Sequence, residues 1–336
     1  MQTDDFIRNW NDSSDFITVK TSGSTGEPKT IEVRKEKMVN SANMTCDFLD
    51  IHEGDTALLC LSTDYIAGKM MVVRSIVRHL NMISVEPDGH PLKSFVKGGA
   101  NYGKKIDFAA MVPLQVYNSL RNEEEKEILM SIKVLIIGGG AIERKMAEDL
   151  QSMPNRVYST YAMTETLSNI AMRKINGEDR SEWYRPFRGI NLSTNEEHQL
   201  IIDAPQICDT LLTTNDIAEI KEDDNGNTIF RILGRKDNII CSGGIKIQAE
   251  TMEELLRPHL DRKFIVTYHD DEKLGQAAVL MIEGEKYDIN LKNIFSSILP
   301  KYWEPKHIIF VERIPMTANG KPARAEAVAL AKKILG

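Results

Sequence analysis

Cysteine is scarce in this 336-residue sequence. The only four, Cys46, Cys60, Cys208 and Cys241, lie far apart. With no CxxC pair and no Cys/His cluster, neither a zinc ligand set nor a redox pair is indicated. Cys60 and Cys241 sit inside apolar runs (58–61 and 239–241), where a buried thiol is expected. No apolar stretch approaches the roughly 18 residues of a membrane span, and no amino-terminal leader pattern is found. These absences predict a cytoplasmic, reduced protein without membrane insertion. Excess positive charge is also missing. Lys and Arg number 42 against 49 Asp and Glu, a formal net charge of −7, so overall charge gives a nucleic-acid partner no support. Any anionic ligand must be held by local features. Repeats and low-complexity tracts are absent as well.

What is present is an alternation of short apolar runs and helical patterns from residue 16 to about 160. Strands are predicted at 16–20, 56–62, 82–86, 107–112 and 133–137. Helices are predicted at 35–49, 68–80, 123–132 and 143–153. Strands separated by helices of this length predict a layered α/β domain with a partly parallel sheet. From about residue 185 short β-like runs (199–203, 210–214, 218–221 and 228–233) and the turn Asp223-Asp224-Asn225-Gly226-Asn227 predict a smaller antiparallel sheet or distorted barrel. A compact α+β unit follows, with helices at 248–256, 291–299 and 323–335 and strands at 263–269, 277–282 and 307–312. The boundary falls at 235–238, which divides the chain into a large domain over 1–236 and a small one over 237–336.

Several segments carry chemistry. Thr21-Ser22-Gly23-Ser24-Thr25-Gly26-Glu27-Pro28-Lys29 follows a strand and precedes Thr30-Ile31-Glu32-Val33. Its glycines allow close approach to phosphate oxygens, its hydroxyls and N–H groups donate, and Lys29 adds a charge suited to a polyphosphate. The GxxxxGK[ST] pattern is not satisfied. Gly138-Gly139-Gly140-Ala141 follows the strand 133–137; alone it reads equally as close packing or as a poor dinucleotide loop. Tyr161-Ala162-Met163-Thr164-Glu165-Thr166 offers an aromatic ring, a hydroxyl and a hard oxygen ligand, or alternatively a capped helix start. Thr214-Asn215-Asp216 reads as an acid on a strand or as an Asx turn, and Asn215 tolerates left-handed backbone angles. The stretch from Gly234-Arg235-Lys236-Asp237 to Ser242-Gly243-Gly244-Ile245-Lys246-Ile247 is polar and glycine-bearing at the predicted boundary, and taken alone it could be an ordinary polar hairpin. Pro315-Met316-Thr317-Ala318-Asn319-Gly320-Lys321 ends in a lysine that, taken alone, could be a solvated turn residue.

Together, in this order and spacing, these segments resemble the adenylate-forming superfamily of acyl-CoA synthetases, peptide-synthetase adenylation domains and luciferases, over nearly the whole chain. The resemblance implies a large adenylation domain and a mobile carboxy-terminal lid, with ATP, Mg2+ and coenzyme A as ligands. Residues Thr21, Ser22, Gly23, Ser24, Thr25, Gly26 and Lys29 would hold the phosphates. Gly139, Gly140 and Ala141 would flank adenine and the acyl pocket, with Tyr161 stacking on adenine. Thr164 would hydrogen-bond the adenylate, and Glu165 would ligate magnesium. Asp216 would accept the ribose hydroxyls, and Arg235 would contact ribose or phosphate. Asp237 would be the hinge, Gly243, Gly244 and Lys246 would line the channel for coenzyme A and the acyl group, and Lys321 would be the catalytic lysine. Homodimers are common in the family, although this sequence leaves the oligomeric state open.

Within the superfamily, 64–70, 111–117 and 242–248 are most similar to the short o-succinylbenzoate–CoA ligases. That acid is a dicarboxylate, so one carboxylate must be held while the other reacts. Lys69, Arg74 and Arg78 have spacings that could present a cation to the pocket, and each also reads as a surface charge. The resemblance departs at its start, since the phosphate loop begins at residue 21 where the superfamily usually has a long preceding segment; the short ligases share this feature. Two alternatives stay open. One is adenylation of another aryl or acyl acid, for coenzyme A or a carrier protein; the other is a non-catalytic nucleotide-binding homologue.

Overall fold

The computed structural model describes residues 3–20, 30–140, 142, 144–287, 291–317 and 322–336. The chain forms two compact units: 1–192 with 202–212 and 220–231, and 193–201 with 213–219 and 232–336.

The first unit opens with α1 (Thr3–Trp10) and the antiparallel ribbon β1 (Phe16–Lys20) and β2 (Thr30–Arg34), followed by α2 (Lys35–Leu49). Then come β3 (Thr56–Leu59), α3 (Ile66–Val77), β4 (Asn81–Ser84), β5 (Phe108–Met111), α4 (Pro113–Arg121) and α5 (Glu123–Ser131). After these lie β6 (Val134–Ile137), α6 (Arg144–Gln151), β7 (Arg156–Ala162), β8 (Asn169–Lys174) and β9 (Arg185–Pro186). Strands β3 to β9 make a seven-stranded sheet in the order β4-β3-β5-β6-β7-β8-β9. It is parallel from β4 to β7 and antiparallel from β7 to β9. All four residues of β5 and of β6 are buried, as expected for parallel strands covered by helices on both faces. Leu58, Leu135, Ile137 and Val157 pack with Val116, Leu129, Met146 and Leu150 from α4, α5 and α6. Helix α5 starts cleanly because the Asn122 side chain accepts from the Glu125 N–H at 3.0 Å and three glutamates fill its first turn.

A four-stranded sheet in the order β10 (Asn191–Thr194), β11 (Gln199–Asp203), β12 (Leu212–Glu222), β13 (Thr228–Arg235) holds the positions where the chain passes from one unit to the other. The expected strands at 210–214 and 218–221 are one continuous strand, β12; polar Asn215 and Asp216 interrupt the apolar pattern without interrupting the backbone.

The second unit contains the hairpin β14 (Ile239–Ser242) and β15 (Ile245–Gln248), α7 (Ala249–Leu256), β16 (Phe264–Asp271), β17 (Gly275–Glu283), α8 (Leu291–Ile298), β18 (His307–Val311) and α9 (Arg324–Leu335). Strand β17 runs antiparallel to β16 and parallel to β18. One sheet face presents Val266, Ala278, Leu280 and Ile282 to Met252, Leu256, Leu291 and Phe295 of α7 and α8. The other presents Ile265, Val279 and Met281 to Ala327 and Ala331 of α9. With both faces covered, β17 reads as an uninterrupted apolar run. Cys241, expected to be buried within such a run, is instead exposed. Its strand alternates, so Ile240 points inward and Cys241 outward.

Among the described residues no helix is long and apolar enough to cross a membrane. Among the described glycines of the first unit, the tightest backbone approach is at Gly68 in α3, where a Cβ would sit 2.2 Å from the Ser62 carbonyl oxygen. Gly68→Ala is therefore expected to lower unfolding stability by about 3 kcal/mol, the upper end of overpacking costs, measured by urea denaturation.

Candidate functional site

In the first unit, Gly138–Gly140 and Tyr161–Thr166 lie at the carboxyl ends of the parallel strands β6 and β7, where layered α/β sheets leave room for ligands. After β6, Gly139 takes φ +79°, and a Cβ on Gly138 would lie 2.5 Å from Thr160 Oγ1 on β7. Backbone there comes close to its neighbour only because no side chain intervenes. Gly140 follows, while Ala141 lies outside the described residues. At the ends of β3 and β5, the buried Gln115 side chain accepts from Val112 N–H at 3.1 Å and donates to the carbonyls of Cys60 (3.0 Å) and Asp88 (2.9 Å). Sequence reading had assigned Gln115 no part, although its place after a proline at a helix start is a capping signal.

Tyr161, near the end of β7, meets the ring of Phe230 edge-on at 5.3 Å and that of Tyr184 at 6.1 Å. The residues after it form a turn between β7 and β8 rather than a helix start. Leu167 N–H donates to Thr164 O at 2.9 Å, and the Thr166 hydroxyl donates to Ser168 O at 2.8 Å. Thr164 is buried and Glu165 exposed; Cys208 Sγ donates to the Glu165 carbonyl at 3.2 Å. The Glu165 carboxylate has no hydrogen-bond or ion-pair partner among the described residues. Those residues also contain no group of three or more His, Cys, Asp or Glu that could enclose a metal. One free carboxylate suits magnesium, which keeps several waters and takes one or two carboxylates plus substrate phosphates.

Cys60 and Cys208 are buried beside this region, and desolvation pushes their thiols up to about 12 and about 11. Burial raises Cys46 as well.

The three basic candidates near α3 meet different fates. Lys69 is buried and donates to the Thr63 carbonyl, with its Nζ 5.4 Å from the centre of the Phe6 ring. Arg78 pairs with Asp47 and donates to Asn43 O at 3.2 Å. Arg74 is 1% exposed and donates to Ser168 Oγ at 2.5 Å and Thr45 Oγ1 at 3.3 Å, and its Nε has no partner. No carboxylate pairs with it among the described residues, and burial pushes its pKa down to about 10, which still leaves it charged at neutral pH.

In the second unit, two motifs some twenty residues apart in sequence meet. Asp216, 16% exposed at its side chain, has its Oδ1 3.6 Å from an Arg235 nitrogen. Arg235 also reaches Asp237 Oδ2 at 3.1 Å, and Asn215 donates to the same oxygen at 3.1 Å. Asp237 lies in a single 3₁₀ turn, Lys236–Asn238, directly after β13. Gly243 and Gly244, at φ +58° and +84°, form the two-residue turn of the β14–β15 hairpin, and Lys246 on β15 is exposed. Thr21, Ser22, Gly23, Ser24, Thr25, Gly26, Lys29 and Lys321 lie outside the described residues.

Residues 8–192 match the family model described as AMP-binding enzyme. The chain belongs to this family. A solved acyl-CoA synthetase (AMP-forming)/AMP-acid ligase II-like protein from Dyadobacter fermentans is 31% identical, with a TM-score of 0.64; the match covers 97% of this chain and 92% of that one. The 2-succinylbenzoate–CoA ligase of Geobacillus sp. (strain WCH70) is 26% identical over 343 residues, 92% of this chain and 68% of that protein. The o-succinylbenzoate coenzyme A synthetase of Bacillus subtilis, solved with ATP and a magnesium ion, shares the fold at a TM-score of 0.72 and 19% identity, covering 92% and 69% of the two chains. These family relatives are adenylate-forming ligases of acids to coenzyme A, and the mixed α/β architecture matches theirs.

Replacing Arg74 strands no hydroxyl, because Thr45 still donates to Ser41 O and Ser168 still donates to Asn169 Oδ1. Arg74→Met is therefore expected to leave unfolding free energy unchanged or to raise it, by up to about 4 kcal/mol, as when buried charges give way to apolar groups. Chemical denaturation checks this, and a clear loss of stability would contradict the reading of Arg74 as an uncompensated charge.

Proposed function

We propose that this protein is an AMP-forming acid–CoA ligase whose acid is o-succinylbenzoate. The substrate assignment rests on one observation, the buried Arg74 guanidinium that has no carboxylate partner among the described residues and bonds Ser168, two residues beyond Thr166. Leaving a charge desolvated and unpaired is costly unless a ligand supplies the counter-charge. A dicarboxylic acid does so with the group that does not react. Relatives named 2-succinylbenzoate–CoA ligases support this choice of acid.

In this reading the reacting carboxylate attacks the α-phosphorus of ATP in line and pyrophosphate leaves. Residues 21–29 hold the β- and γ-phosphates, Tyr161 stacks on adenine beside Gly139 and Gly140, and Thr164 bonds the adenylate. Asp216 and Arg235 hold the ribose. Lys321 neutralises charge that builds on the carboxylate and the α-phosphate, the preorganised electrostatics on which such transfers depend. Glu165 would hold magnesium, which would supply charge neutralisation at the phosphates. The small domain, 237–336, then turns about Asp237, withdrawing Lys321. The coenzyme A thiol reaches the mixed anhydride beside Gly243, Gly244 and Lys246, and AMP departs.

Pyrophosphate release with MgATP and coenzyme A, compared for o-succinylbenzoate, benzoate, succinate and a medium-chain fatty acid, tests the assignment. Turnover to a thioester is expected with o-succinylbenzoate alone; preference for another acid would retain the class and reject the substrate. Lys321→Ala should slow adenylation about 10²- to 10³-fold, the scale of one preorganised electrostatic group, and near-normal pyrophosphate release in that variant would remove Lys321 from the mechanism. Arg74→Met should raise KM for o-succinylbenzoate at least about 30-fold, the scale of losing one partner of a buried charge pair.

A further inference from the structure

Residues 317–321 end in Lys321, and the chain on either side is tied together. Ala323 N–H donates to Pro315 O at 2.9 Å, and Met316 bridges Pro322. Helix α9 begins at the next residue, Arg324. Its guanidinium grips Glu253 of α7 with a two-pronged contact, 3.1 Å to Oε1 and 2.8 Å to Oε2, and its Nε lies 3.7 Å from Glu250 Oε1. The same pair uses the open edge of β16. Val266 N–H donates to Glu253 Oε1 at 2.8 Å, and Val266 O accepts from Arg324 at 3.2 Å. Helices α7 and α9 lie on opposite faces of the sheet, so the pair clasps them across its edge.

Stability alone does not account for this clasp. Apolar contacts already hold both helices, and a buried ion pair is on balance neutral or unfavourable beside an apolar replacement. Burial lifts the Glu253 carboxyl above its ordinary range, and the neighbouring Arg324 opposes that rise. What a forked contact adds is register, since a planar guanidinium on a carboxylate admits few geometries. Here the register fixed is that of the first residue of α9, three positions beyond Lys321.

We propose that Arg324 and Glu253 are positioning residues for Lys321, anchoring the root of its segment so that the ammonium meets the reacting groups in one place; this rests on the assignment of Lys321 above. The discriminating property is that Lys321 serves adenylation and is withdrawn for thioester formation. Arg324→Lys keeps the charge and loses the fork, while Glu253→Gln keeps the shape and serves should the first variant fail to fold. Each is expected to slow adenylate formation about 10-fold or more, as misplacement of a reacting group by about an ångström does. Thioester formation from supplied acyl-adenylate and coenzyme A should stay within about threefold of wild type, and neither variant should slow adenylation further in a Lys321→Ala background, as for residues acting as one unit. Hydrogen exchange at the Ala323 amide should quicken while β16 and β17 stay protected. Equal losses in both half-reactions, or an undiminished effect on the Lys321→Ala background, would overturn the proposal. Wild-type protein that adenylates no acid would instead sink the Lys321 assignment. The exchange measurement then still decides the anchor, and unchanged exchange at Ala323 in both variants rejects it.

Discussion

Strands with both faces buried have nowhere to put polar chemistry except at their ends. In the first unit, β5 and β6 expose no residue, and β3 buries Ala57, Leu58 and Leu59. The polar elements described there therefore lie at strand ends. The Gly138–Gly140 turn comes after β6, the Tyr161–Thr166 segment spans the end of β7, and the helix carrying Lys69 and Arg74 follows β3. Gln115 reinforces the arrangement by bonding the backbones at the ends of β3 and β5. The site is a consequence of where an apolar sheet stops.

Arg74 is the exception to this rule, because it is charged and wholly buried, and the proposed substrate rests on it. Its neighbours Thr45, Ser168 and Asn169 form a hydroxyl and amide network that accepts its hydrogen bonds without neutralising it. Such a network orients a cation and leaves its field available. The second unit solves the opposite problem at Arg324, where the carboxylate is supplied in full and the contact sets geometry rather than affinity.

Much of the fold was legible from periodicity. Helix 35–49 and strands 16–20 and 199–203 are found at the residues expected, and the other predicted elements mostly differ at their ends by one to three residues. Strands β7 and β8 went unread because Ser159, Thr160 and Asn169 break the apolar pattern, although Ser159 and Asn169 are themselves buried and hydrogen-bonded. Helix α1 went unread because few of its residues are apolar; among them only Phe6 is buried. The individual candidate residues were readable as motifs. What one dimension could not supply was which of them meet, as Asp216, Arg235 and Asp237 do, or that Arg74 would find hydroxyls but no carboxylate among the described residues where Arg78 has Asp47. Burial and pairing belong to the third dimension, and a charged residue on a helix carries no local mark of either.

The cysteines carry a chemical consequence. In the proposed reaction the protein builds a mixed anhydride, a species that any thiolate nearby would intercept. Cys208 sits against the backbone of Glu165, and Cys60 lies at the end of β3. Desolvation holds both as protonated thiols at neutral pH, and a protonated thiol is a poor nucleophile. An acyl group activated there would meet neither Cys60 nor Cys208 as a ready nucleophile. Its capture by these two thiols is discouraged by the same burial that packs the core.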